Sequence, residues 1–165
     1  MIWTEQRIFA AIASARKWGG TPHYNRIAVH GTGIDCVHFV SEVLSAAGVI
    51  PIGFPMPFYD ERLGMLRNRN VIEDVLLHYL HAEAHPPEDP QFGDVVVCQC
   101  GRQTNHIGII IEGSMWHVPG RGRCGPSAWV NWKHRTQSLI RITSDGFRVD
   151  PSGLTWEQIR TKLTT

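Results

Sequence analysis

Residues 33–40 read GIDCVHFV, and this stretch sets the reading of the whole chain. Asp35 suits a helix N-cap, Val37, Val40, Leu44 and Ala47 repeat behind it on one helical face, and Gly48 stops the pattern. Cys36 therefore falls in the first turn of a helix, where unpaired amides and the helix dipole favour an anion. A free thiol of pKa about 8.5 is mostly protonated at neutral pH, and the dipole lowers that value by roughly one unit or less. An imidazolium within about 4 Å contributes roughly 4 kcal/mol at an effective dielectric near 20, before desolvation is counted. The cysteine needs a histidine more than it needs the helix.

His106 is the best placed. It opens the run HIGIII (106–111), whose apolar neighbours hold the ring on a rigid strand. A third group that fixes the imidazole is available in His117, within MWHV (115–118). Turn length decides whether the two rings meet. A two-residue loop of Glu112-Gly113 pairs position 117 with 108, and a loop of Gly113-Ser114 pairs it with 110. Either puts His117 on the face of His106, whereas a three-residue loop puts it on the opposite face.

Outward from these residues, Thr4 to Lys17 carries Ile8, Ala11, Ile12 and Ala15 at helical spacing, closed by Gly19-Gly20. Thr21 to Gly33 lacks periodicity and reads as a loop. Ile72, Val75, Leu76, Tyr79 and Leu80 mark a further amphipathic helix before His85-Pro86-Pro87. The second half changes character: Val95 to Val97, Ile107 to Ile111, Met115 to Val118 and Ser138 to Thr143 are short and β-rich, with a closing helix at Thr155 to Leu163. Helices first and antiparallel strands second predict an α+β fold.

The 165 residues suit one domain with one core, and 42% apolar against 19% charged residues is ordinary for a globular chain. No run approaches the roughly 18 apolar residues of a membrane span. A net charge of +1 gives no drive toward nucleic acid. Arg121, Arg123, Lys133, His134 and Arg135 read as a solvated basic loop. The start, MIWTEQRIFAAIASA, reads as a helix, because Glu5 and Arg7 leave too short an apolar run for a signal peptide. The four cysteines are expected as free thiols.

The stretches GTPHY (20–24), GIDCVHFV, FGDVVV (92–97), HIGIII and MWHV, in this order, resemble the landmarks of the NlpC family of papain-like cell-wall peptidases. The resemblance implies a catalytic cysteine at a helix start packed on a small antiparallel sheet, with Cys36, His106 and His117 in the catalytic roles. It also implies that Tyr24 and Asp35 bind substrate near the nucleophile, so Asp35 has two compatible readings, helix cap and ligand for a substrate amine. The implied substrate is a peptidoglycan stem peptide, cut between D-glutamate and the diamino acid, with no cofactor and no metal. Three departures stand out: Val37-His38 replaces the usual Ser-Gly, the hairpin between the histidines is one residue shorter, and a helical insertion fills about 50–90 of the single catalytic domain 1–165. The insertion and the lack of a readable signal peptide resemble peptidases encoded among phage tail and gene-transfer-agent genes. That branch implies phage tail proteins as partners and a virion tail reached after synthesis in a host cytoplasm.

Rival readings are a cysteine amidase or acyltransferase on another substrate, and a non-catalytic tail or wall-binding module. Cys98-x-Cys100 beside His106 lacks four zinc ligands at accepted spacing, and period-two alternation makes core thiols the blander account. His78, His81 and His85 have helical spacing opposite an apolar face and read as solvated. Trp116, Trp129 and Trp132 cluster near the expected site as core, cleft wall or a stacking surface for glycan.

Overall fold

Thr4 caps the first helix, accepting a hydrogen bond from the Arg7 amide, and α1 runs Glu5–Trp18. The computed structural model describes residues 1–51, 71–100 and 103–151, with positions 153, 154, 158 and 161. Most of the expected closing helix, and part of the expected insertion, lie outside the described residues. The segment expected as a loop carries two short paired strands, β1 Ala28–Val29 and β2 Gly33–Ile34. Asp35 then caps α2, Cys36–Ala46, and Gly48 takes a left-handed conformation behind it.

The next helix, α3 Val71–Tyr79, ends one residue before Leu80, the last position of its apolar spacing. Leu80–His85 forms strand β3, so the helical register assigned to Leu80, His81 and His85 is corrected. The physical reason is long-range pairing. β3 lies antiparallel to β8, Thr136–Phe147, with Ala82 opposite Ile142 and Ala84 opposite Ile140, and a partner strand overrides local propensity. Between them in sequence come β4 Val95–Cys100, β5 Gln103–Ile111, β6 Ser114–His117 and β7 Gly125–Ala128. The sheet order is β3-β8-β4-β5-β6-β7, every neighbouring pair antiparallel.

Both faces of this sheet are covered. Val95, Val97, Ile107, Ile109, Ile111, Ile140 and Ile142 point into the main core with Phe39, Val40 and Val43 of α2 and Ala11 and Ala15 of α1. The alternate residues Val96, Cys98, Ile110, Met115 and Leu139 form a second cluster, closed by Trp129 and Trp132. Period-two alternation assigns each side chain to one of these layers. Cys36, Cys98 and Cys124 are free thiols. Among the described residues no helix is long and apolar enough to cross a membrane.

The β5–β6 turn is the two-residue Glu112-Gly113, with φ of 51° and 76°, and it pairs Ile111 with Ser114 and Gly108 with His117. Positive φ at both central residues is the twist-matched type I′ geometry. Gly108 is required by close approach, since a Cβ there would lie 2.6 Å from the Met115 methyl and 2.8 Å from the Trp116 carbonyl oxygen. Gly108→Ala must push β5 and β6 apart, and we expect a loss of about 1–3 kcal/mol in stability by urea denaturation.

Candidate active site

The sulfur of Cys36 sits where the pairing of β5 with β6 runs out. That pairing ends at Gly108 and His117, and the next amide along β5, that of Ile107, hydrogen-bonds the Cys36 sulfur. The amides of Cys36 and Val37, at the start of α2, are directed to the same sulfur. Three backbone N–H groups thus converge where a thiolate would form. The helix start was legible in sequence; the Ile107 amide was not, because strand and helix are brought together only by folding.

The His106 side chain leaves β5 on the face opposite the Ile107 side chain, toward Trp132. Its Nε2 lies 2.8 Å from Nδ1 of His117, as the two-residue turn requires. Both rings are buried, at 8% and 1% exposure. His117 Nε2 in turn lies 2.8 Å from Oγ of Ser127, on β7 opposite Met115. Trp132 packs against both imidazoles, with ring centroids 5.5 Å and 4.6 Å away. Trp116 belongs to the main core on the opposite face, so the three tryptophans do not form one platform. Ser127 was missed because Gly125–Ala128, reading GPSA, carries no strand signal; its place on a sheet edge comes from pairing with β6.

Asp35 is 1% exposed and holds three donors. Its Oδ1 accepts the His38 amide at 2.8 Å, Oδ2 accepts the Arg26 amide at 2.8 Å, and His38 Nδ1 is 2.8 Å from the same oxygen. The cap is therefore observed, and His38, one of the departures from the family pattern, is part of it. Tyr24 is 62% exposed, its amide bonded to the Ile34 carbonyl. Among the described residues no group of three or more His, Cys, Asp or Glu side chains is arranged to hold a metal ion.

No protein-family model matches the chain, and no curated protein matches it in sequence. Solved structures do. An NLP/P60-family protein of Staphylococcus aureus, described as similar to a lipoprotein, superposes with a TM-score of 0.58 at 18% identity over 87% of this chain and 43% of that one. The peptidoglycan hydrolase RipB of Mycobacterium tuberculosis gives a TM-score of 0.53 at 16% identity over 85% of this chain and 66% of its own. The P60 domain of an M. avium paratuberculosis antigen gives 0.52 at 16% identity, covering 83% and 94%. This chain has the NlpC/P60 fold. It spans less than two-thirds of the length of the first two proteins.

Within this NlpC/P60 fold the charges at rest differ from the thiolate expected at a helix start. Burial pushes the Cys36 thiol up to about 12, against the lowering by the Ile107, Cys36 and Val37 amides, and Asp35 raises it further. Burial also pushes His106 down to about 3, helped by His117 and His23, and His117 down to about 4. Thiol and imidazoles are all neutral at pH 7. A depressed histidine stabilises the fold fully above its unfolded value of 6.5, and that contribution is lost as pH falls from there toward the folded values. Urea denaturation should show stability declining between pH 6.5 and pH 4, with a shallower decline in His106→Gln and His117→Gln.

Proposed function

We propose that this chain is a cysteine peptidase of peptidoglycan, a cell-wall hydrolase in which Cys36 is the nucleophile, His106 the proton carrier and His117 the residue that orients it. The observation that carries the reading is one junction: a helix-start sulfur held by the amide of Ile107, next to a histidine that is itself bonded to a second histidine. The NlpC/P60 fold, shared with a protein described as a peptidoglycan hydrolase, supports the substrate class.

In this reading the resting pair is neutral, so His106 works as a general base during attack instead of facing a preformed thiolate. Its Nε2 is engaged by His117, which leaves Nδ1 to take the proton from Cys36 as the sulfur adds to the peptide carbonyl. The three amides around the sulfur stabilise the charge that develops before the carbon–sulfur bond is complete, and the Cys36 amide supplies part of the oxyanion hole. The tetrahedral intermediate collapses when His106 returns that proton to the leaving amine. Water, deprotonated by the same imidazole, then hydrolyses the thioester and frees Cys36.

Tyr24 and Asp35 are the substrate-binding residues of this proposal. The Asp35 carboxylate, 1% exposed and already holding three donors, is the ligand that the resemblance implies for a substrate amine. The D-glutamyl–diamino acid bond, the single catalytic domain and the phage tail or gene-transfer-agent setting rest on the sequence resemblance.

Mass spectrometry of defined muropeptides incubated with the protein tests the proposal. Wild type should cleave and Cys36→Ala should not. Turnover should fall moderately in His117→Gln, whose carbonyl still accepts a hydrogen bond, and by about 100-fold or more in His106→Ala. Near-normal turnover by folded His106→Ala would remove it as the base. Wall binding without turnover in wild type would favour a non-catalytic module, and a different product an amidase or acyltransferase.

A further inference from the structure

We infer that Ser127 is a positioning residue, whose hydroxyl holds His117 in the one tautomer that lets His106 accept a proton. This rests on the proposed roles of His106 and His117 and extends the line of groups by one. The argument is a count of donors and acceptors along Nε2 of His106, Nδ1 of His117, Nε2 of His117 and Oγ of Ser127, joined by two contacts of 2.8 Å.

The contact between the two rings holds a single proton. If His117 carries it on Nδ1, it donates to His106 Nε2; the His106 proton then sits on Nδ1, the nitrogen needed as base. If His106 carries it on Nε2, its Nδ1 has a free lone pair and His117 Nδ1 accepts. A neutral His117 must then bear its own proton on Nε2, and that N–H needs an acceptor. His117 is 1% exposed, and its ring is covered by Trp132. A buried N–H without an acceptor carries the full desolvation penalty. Ser127 Oγ, 2.8 Å from that atom, is placed to accept it.

The requirement tightens as the reaction proceeds. Once His106 has taken the thiol proton both of its nitrogens are donors, so His117 Nδ1 can only accept and His117 Nε2 can only donate. Only one arrangement remains, and it ends on Ser127. Ser127 is half-buried on the edge strand β7, where its own hydroxyl can donate a hydrogen bond to solvent. The charged His106 polarises the neutral His117 that bonds it and strengthens the donation from His117 Nε2 to Ser127, so loss of Ser127 falls on the chemical step rather than on binding.

The test uses protein labelled with 15N-histidine, as wild type, Ser127→Ala and Ser127→Thr. Long-range 1H–15N spectra at pH 7 report which nitrogen of His117 carries the proton. Wild type and Ser127→Thr should show the Nε2–H form, and Ser127→Ala should shift toward Nδ1–H. With a muropeptide, Ser127→Ala should lose about tenfold in kcat at unchanged KM, and Ser127→Thr should recover most of it. An Nδ1–H form in wild type, the same tautomer in wild type and Ser127→Ala, or a raised KM at unchanged kcat would each overturn the inference. The spectra need no turnover. A wild type that cleaves nothing would thus sink the proposed function while the tautomers still decide the role of Ser127.

Discussion

The two-residue turn Glu112-Gly113 is the constraint on which the site depends. Because side chains alternate along a strand, a shift of one residue in the β5–β6 register would send His117 to the opposite face from His106. The turn holds that register by placing a non-glycine residue, Glu112, at a φ of 51°. Its side chain makes an exposed ion pair with Arg16 at 3.3 Å, of a kind that contributes little. The pairing of Ile110 with Met115 and Ile109 with Trp116 sustains the turn. Gly108 completes the arrangement, since the close approach of β6 leaves no room for a side chain opposite His117.

Burial and hydrogen bonding oppose each other at the sulfur, and burial prevails at rest. The helix start contributes about 0.3–1 kcal/mol toward the thiolate, up to about 2 in favourable cases. The rise of the Cys36 thiol from 9.0 to about 12 corresponds to about 4 kcal/mol in the other direction, even with three amides in place. A neutral thiol and neutral imidazoles follow. Dry surroundings that disfavour a standing ion pair also strengthen any interaction with charge that develops during a reaction. The amides and the histidine pair are fixed before that charge appears.

Burial on both faces of the sheet makes this arrangement stiff. Ile107 and Ile109 point into the main core under α2, while His106 and Gly108 face the layer closed by Trp132. Cys36 approaches from the helix side and meets the backbone between the two layers, at the end of the β5–β6 pairing. The site thus lies at a seam of the sheet and not on one face of it.

The sequence by itself determined the elements whose signals are local. The Asp35 cap, the α2 face ended by Gly48, and the alternation around HIGIII all come from residues a few positions apart. The choice between two- and three-residue turns was legible only as a set of consequences, one of which the pairing of Gly108 with His117 selects. Tertiary structure alone decided the rest. Leu80–His85 is a strand because β8 extends far enough to pair with it, and Ser127 reaches His117 because GPSA is drawn onto the sheet edge by β6. The Ile107 amide reaches the sulfur because α2 packs across β5. These contacts join residues distant along the chain, and no local pattern encodes them; the neutral state of the thiol has the same origin, since burial is a property of the packed molecule.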